Sequence, residues 1–116
     1  MYARITQLHV LPGKLQEYLV AVDSLRPMIR KQAGFREILL LRSAETPAKE
    51  GDDREIIVTA ISVWETLEHL RASEKNLFLY QAIARTQAFC KGFPKIREEE
   101  VIASEMDSGT TEYTQA

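Results

Sequence analysis

The run from Glu55 to Ala72, EIIVTAISVWETLEHLRA, leaves little freedom in how a chain like this can fold. Residues Ile56 to Val63 are mostly β-branched or apolar at both alternating positions, which suits a strand covered on both faces and not one with a wet side. The strand ends in the chain's only tryptophan, Trp64, and passes at once into a helix start. Thr66 suits the N-cap there, since its hydroxyl can accept a hydrogen bond from a backbone N–H left unpaired in the first helical turn. The remaining elements have to bury this strand-to-helix junction.

Before it, Tyr2 to Leu11 has the Ile, Thr, Val and Tyr content of a strand, and Pro12-Gly13 ends it with turn chemistry. Leu15, Tyr18, Leu19, Val22, Leu25 and Ile29 then recur at three- and four-residue steps, the apolar face of an amphipathic helix. Pro27 lacks the N–H that would bond the carbonyl of Asp23, which predicts a kink or restart, with Ser24 as its cap. Gly34 can take the positive φ of a helix end, and Phe35 to Ser43 returns to strand character through Ile38, Leu39, Leu40 and Leu41, again apolar on both faces. Ala44 to Asp53, AETPAKEGDD, has no apolar period and reads as an exposed connection.

After Trp64 a short helix shares Leu67 and Leu70 on one face. A second helical piece begins near Ser73 and carries Leu77, Tyr80, Ile83, Ala84 and Ala88 as far as Phe89, where Gly92-Phe93-Pro94 stops it. Lys95 to Ser104 is a last strand. Glu105 to Ala116 has little to bury and reads as a loose tail, placed to lie against a partner subunit.

The order β-α-β-β-α-α-β predicts an α+β fold: the ferredoxin-like split βαβ arrangement, an antiparallel sheet with helices on one face. One helix layer covers one face only, yet strands two and three are apolar on both. A second copy of the sheet is the simplest cover, giving a homodimer that encloses a dimeric α/β barrel.

A chain of 116 residues is one domain's worth, divided here as a folded part over 1–104 and a C-terminal tail over 105–116. No apolar run approaches the roughly 18 residues of a membrane span, and the opening MYARITQLHV lacks the basic-then-apolar design of a signal peptide. The expectation is a cytoplasmic protein without a membrane partner, and the lone cysteine, Cys90, agrees with a reducing compartment. Net charge is −2 with the basic residues scattered, so no footprint for a nucleic-acid backbone is present.

The chain resembles the antibiotic-biosynthesis monooxygenase-like (ABM) family of dimeric α+β barrels. The resemblance is carried by the Pro12-Gly13-Lys14 helix opening, the Ala33-Gly34-Phe35 entry to strand two and the Val63-Trp64-Glu65-Thr66 junction, and it covers roughly residues 2 to 104. It implies cofactor-independent oxidation of quinols or phenols in the monooxygenase branch, with no cofactor or metal bound. That branch places an Asn four residues before the Trp and a Tyr six beyond it, positions that fall on Ala60 and Leu70. Ala60 cannot donate to a developing oxyanion as an Asn could. The haem-degrading branch needs an axial His and further residues at positions near Ile83, Ser73 and Thr6, and Ser73 to Phe93 contains no His.

If Trp64 and Ala60 face the barrel interior as in the monooxygenases, alternation puts Ile56, Val58 and Ser62 there too. The candidate ligand-pocket residues are Trp64, Ser62, Ala60 and Val58 of this strand, Thr6 and Leu70 at positions that the resemblance marks, and His69 beside the junction, a wall suited to a hydrophobic or aromatic small molecule, with Ser62 and the indole N–H as polar handles. No catalytic residue is assigned. The alternative is a non-catalytic dimeric binding or stress-associated module whose barrel interior is packed shut. His9 reads as a surface or hydrogen-bonded side chain, Cys90 as a half-buried inert thiol, and Tyr80 and Phe78 as helix packing.

Overall fold

The computed structural model describes residues 1–44, 55–75, 78–105 and 111–113. Strand β1 (Tyr2–Val10) leads into helix α1 (Leu15–Asp23) and the short α2 (Arg26–Arg30), followed by β2 (Phe35–Arg42) and β3 (Ile56–Trp64). Helices α3 (Leu67–Lys75) and α4 (Phe78–Thr86) come next, then a single 3-10 turn over Gln87–Phe89 and strand β4 (Lys95–Glu100). The four strands form one antiparallel sheet in the order β2-β3-β1-β4, as the split βαβ reading requires. The Ala44 to Asp53 connection falls, apart from Ala44, outside the described residues.

The helix boundaries follow the residues that interrupt them. Pro27 sits in the first turn of α2, where its missing N–H is unpaired in any helix, so the chain restarts instead of kinking. Ser24 does not cap that restart: its hydroxyl turns back to the carbonyl of Ala21, and Leu25, at the cap position, makes no side-chain cap bond. Thr66 does cap α3, its Oγ accepting from the His69 backbone N–H at 3.0 Å. His69 then lies so close over Gly34, whose φ is +79°, that any side chain there would overlap the imidazole. The last strand is shorter than expected. It ends at Glu100, and beyond it β5 (Ala103–Glu105) pairs with β6 (Thr111–Tyr113), so the segment read as a loose tail holds part of a small hairpin.

Strand register divides the sheet cleanly. Tyr2, Arg4, Thr6, Leu8 and Val10 lie opposite Trp64, Ser62, Ala60, Val58 and Ile56. These even positions share the face under the helices. On β2 a bulge between Phe35 and Glu37 shifts the count by one, so that Phe35 pairs with Trp64 while Ile38 and Leu40 pair with Ser62 and Ala60. The buried core consists of two clusters on this face: Leu8, Val10, Tyr18 and Val58 at one end, and Ile29, Trp64 and Leu70 at the other.

The odd positions form the second face, which no helix among the described residues covers. Leu39 and Leu41 are each 47% exposed, and Ile5, Ile57, Ile61 and Val63 are only partly buried. Within the single chain β2 is buried on neither side beyond Phe35, because it is the sheet edge and even its helix-side residues Ile38 and Leu40 stay exposed.

Tyr18 carries a measurable consequence of core burial. It is almost fully buried, and loss of solvent, with Cys90 adding a smaller push, raises its hydroxyl from 10.0 to about 12. The folded chain keeps this proton where the unfolded chain has released it, so stability falls as pH rises from about 10 towards about 12. The loss is on the order of 3 kcal/mol across that window. Urea midpoints measured over it should decline in the wild type and decline less in Tyr18→Phe.

Candidate functional site

The two core clusters do not meet. Between them, under α1, α2 and α4, lies a cavity of about 660 Å³. Thr6, Ala60, Ser62, Ile38 and Leu40 form its sheet wall, and Leu19, Val22 and Ile83 contribute to its helix wall. Leu8 and Tyr18 belong to it from one cluster and Ile29 from the other. Ile38 and Leu40 face the helices yet are 39% and 38% exposed, so the cavity opens along the edge strand β2.

Three of the seven sequence candidates, Thr6, Ala60 and Ser62, line this cavity. The other four do not. Val58 is packed into the first core cluster, while Trp64 and Leu70 are fully buried together in the second. His69 is occupied at the helix start, its Nδ1 2.9 Å from Thr66 Oγ. The expected location also changes. The face bearing Ala60, Ser62 and Trp64 lies beneath the chain's own helices, so the cavity is formed within one chain instead of between two sheets. Parity placed these residues together correctly, but parity alone does not say which face the helices take.

Trp64 remains connected to the cavity through Ser62. Its indole Nε1 donates to Ser62 Oγ at 3.0 Å, and its ring meets Phe35 edge-on at 5.6 Å between centroids. Because Ser62 Oγ accepts from the indole, its own O–H proton is directed elsewhere.

Arg4 was not among the sequence candidates, and it is the most unusual polar residue in the structure. It is only 3% exposed, lines the cavity, and stands directly opposite Ser62 in the sheet. Its Nη2 donates to the Leu70 carbonyl at 2.7 Å and to Ser73 Oγ at 2.6 Å, with Glu74 more distant at 3.5 Å. The guanidinium carbon also lies 5.7 Å from the centre of the Trp64 ring. Burial pulls its pKa below the ordinary value, opposed by Glu74 and then Glu98. Its Nε is buried with no hydrogen-bond partner among the described residues. The signal in the sequence was the arginine's even position on β1, between the inward Tyr2 and Thr6.

The other reactive groups lie away from the cavity or are inert. His9 Nδ1 is 3.0 Å from a Glu55 oxygen whose partner oxygen accepts from Lys91 at 2.9 Å. Lys91, then His9, hold the Glu55 carboxyl below its ordinary value. This cluster ties the start of β3 to the end of β1. Burial pushes the Cys90 thiol up, away from the reactive thiolate. Among the described residues no group of three or more His, Cys, Asp or Glu could hold a metal ion, and no helix is long and apolar enough to cross a membrane.

Solved structures share this architecture. A conserved protein from Methanosarcina mazei Go1 superposes with a TM-score of 0.67 at 17% identity, over 85% of this chain and 91% of its own. SnoaB, a cofactor-independent oxygenase from Streptomyces nogalater, does so with a TM-score of 0.60 at 16% identity, over 86% of this chain and 92% of its own. At such identities the likeness is one of fold. No curated protein matches by sequence. The family model for antibiotic biosynthesis monooxygenases matches residues 1–86, which include β1, the junction at Trp64 and every sheet residue of the cavity wall named above. The chain belongs to the antibiotic biosynthesis monooxygenase (ABM) family.

Proposed function

We propose that the chain works as a cytoplasmic homodimer, paired through the open sheet face, and that its cavity binds a hydrophobic or aromatic small molecule, oxidising a quinol or phenol with dioxygen and no bound cofactor. The observation that carries this reading is the cavity itself. Its size, about 660 Å³, lies within the range of small-molecule sites, and its walls are mainly apolar. Family membership and the resemblance in fold to a cofactor-independent oxygenase support the reaction class. In such a reaction the electron-rich substrate is itself the reductant of dioxygen. The protein's part is to hold it, exclude water and favour its ionised form.

A second reading, a non-catalytic binding module, is favoured by Ala60. It stands on the cavity wall where the family resemblance expects an Asn, and it brings no donor to an oxyanion. One experiment separates the two. Oxygen consumption with electron-rich naphthoquinols and phenols should exceed the background autoxidation and fall at least tenfold in Ala60→Phe, which puts a ring into the cavity from its sheet wall. Ligand binding without excess oxygen uptake would instead establish the binding module.

A further inference from the structure

We infer that Arg4 and Ser62 form the recognition end of the cavity, selecting apolar molecules that carry an acceptor oxygen of anionic character, such as a carboxylate or phenolate. The inference rests on the cavity being the ligand site and adds the chemistry of what it takes. Two residues face each other across β1 and β3 on its wall, and both have donor capacity left over. Ser62 Oγ is already occupied as an acceptor by the Trp64 indole, so what it offers a ligand is its O–H proton. Arg4 is held by Nη2 contacts to Leu70 and Ser73, which leave Nε buried and unpaired.

A buried unpaired N–H on a cation is costly, and an oxygen lone pair is what relieves it. The charges around Arg4 do not supply that oxygen. Glu74 reaches Nη2 only at 3.5 Å, and Glu98, opposite Arg4 on β4, accepts from Arg71 at 3.2 Å. Cross-strand neighbours lie about 5 Å apart at Cβ, close enough for two donors to reach one functional group. Two neighbouring donor side chains on one cavity wall, one of them charged, disfavour a ligand whose polar end is an ammonium and favour one that accepts.

The test is calorimetric titration of the intact protein with three probes of one apolar body: 2-naphthoate, 2-acetonaphthone and 2-naphthylmethylammonium. The expected order is naphthoate tightest and the ammonium weakest, at least tenfold apart. Ser62→Ala and Arg4→Lys should each narrow that gap by at least threefold, with acetonaphthone losing less affinity than naphthoate. Should Arg4→Lys fail to fold by circular dichroism, Ser62→Ala carries the test alone. Equal affinity for all three probes would overturn the recognition role while leaving the cavity as a ligand site. Binding of none would overturn both.

Discussion

Trp64→Ala should cost about 3–5 kcal/mol of folding stability, the range for removing a large aromatic ring from a packed core. Domains of this kind have only about 5–15 kcal/mol in total, so the variant should lose a large share of its stability and unfold at a much lower urea concentration. The size of the effect follows from the number of elements that meet on one ring. Trp64 is fully buried against Ile29 of α2 and Leu70 of α3, and Phe35 of β2 closes on its edge. Arg4 lies within cation–π distance of the ring. Removing the ring therefore opens a cavity and leaves a buried cation less shielded, and Ser62 loses its indole partner. Trp64→Phe keeps most of the apolar packing and should lose less, about 1–2 kcal/mol, chiefly the indole hydrogen bond. Urea unfolding followed by far-ultraviolet circular dichroism is the measurement, since the substitution removes the only tryptophan. A loss below about 1 kcal/mol in Trp64→Ala would contradict its place in the core.

The second large effect is on assembly. Replacing Leu39 and Leu41 together by Glu should convert the proposed dimer to a monomer of 13.2 kDa in sedimentation at micromolar concentration. Both leucines are half exposed on the face without helices, among Ile5, Ile57 and Ile61. An exposed apolar patch of this kind, interrupted on β3 only by Thr59, suits a covered surface. In a two-fold pair each substitution enters twice, so four carboxylates would have to be desolvated at one contact, with only Lys95 and Arg97 of β4 as cations at positions of that face. The folded chain should tolerate the change, because these side chains support no core cluster. A wild-type protein that sediments at 13.2 kDa would refute the dimer outright.

Much of the fold was legible because periodicity and punctuation agree. Pro12-Gly13 and Gly34 bound the first helical region, Thr66 caps the next, and the alternation along β3 groups Ala60 and Ser62 on one face, while Thr6 comes from the family resemblance alone. What periodicity could not supply was sidedness. Alternation groups residues on a face, but which face the helices cover depends on how the chain crosses the sheet, so the cavity was expected between subunits. The bulge after Phe35 hid a second point. Counting by twos along β2 would send Phe35 to the face opposite Ile38, and the extra residue brings both to the helix side.

Arg4 was missed for another reason. A charged residue near the end of a strand reads as solvated, and only the tertiary contacts of Leu70 and Ser73 reveal where its guanidinium goes. The loss of side-chain capping at α2 is similar: Ser24 had the right chemistry for a cap, and its own preceding turn offered a nearer acceptor.

The division of the sheet by register also means that ligand choice and self-association can be altered separately, one letter at a time. Leu40 borders the cavity, while its neighbours Leu39 and Leu41 point to the opposite face. The same interleaving sets Ala60 between Thr59 and Ile61. On the proposed function, a lineage carrying this sheet could acquire a new ligand through even positions without renegotiating the proposed dimer contacts, and change partners through odd positions without disturbing the cavity.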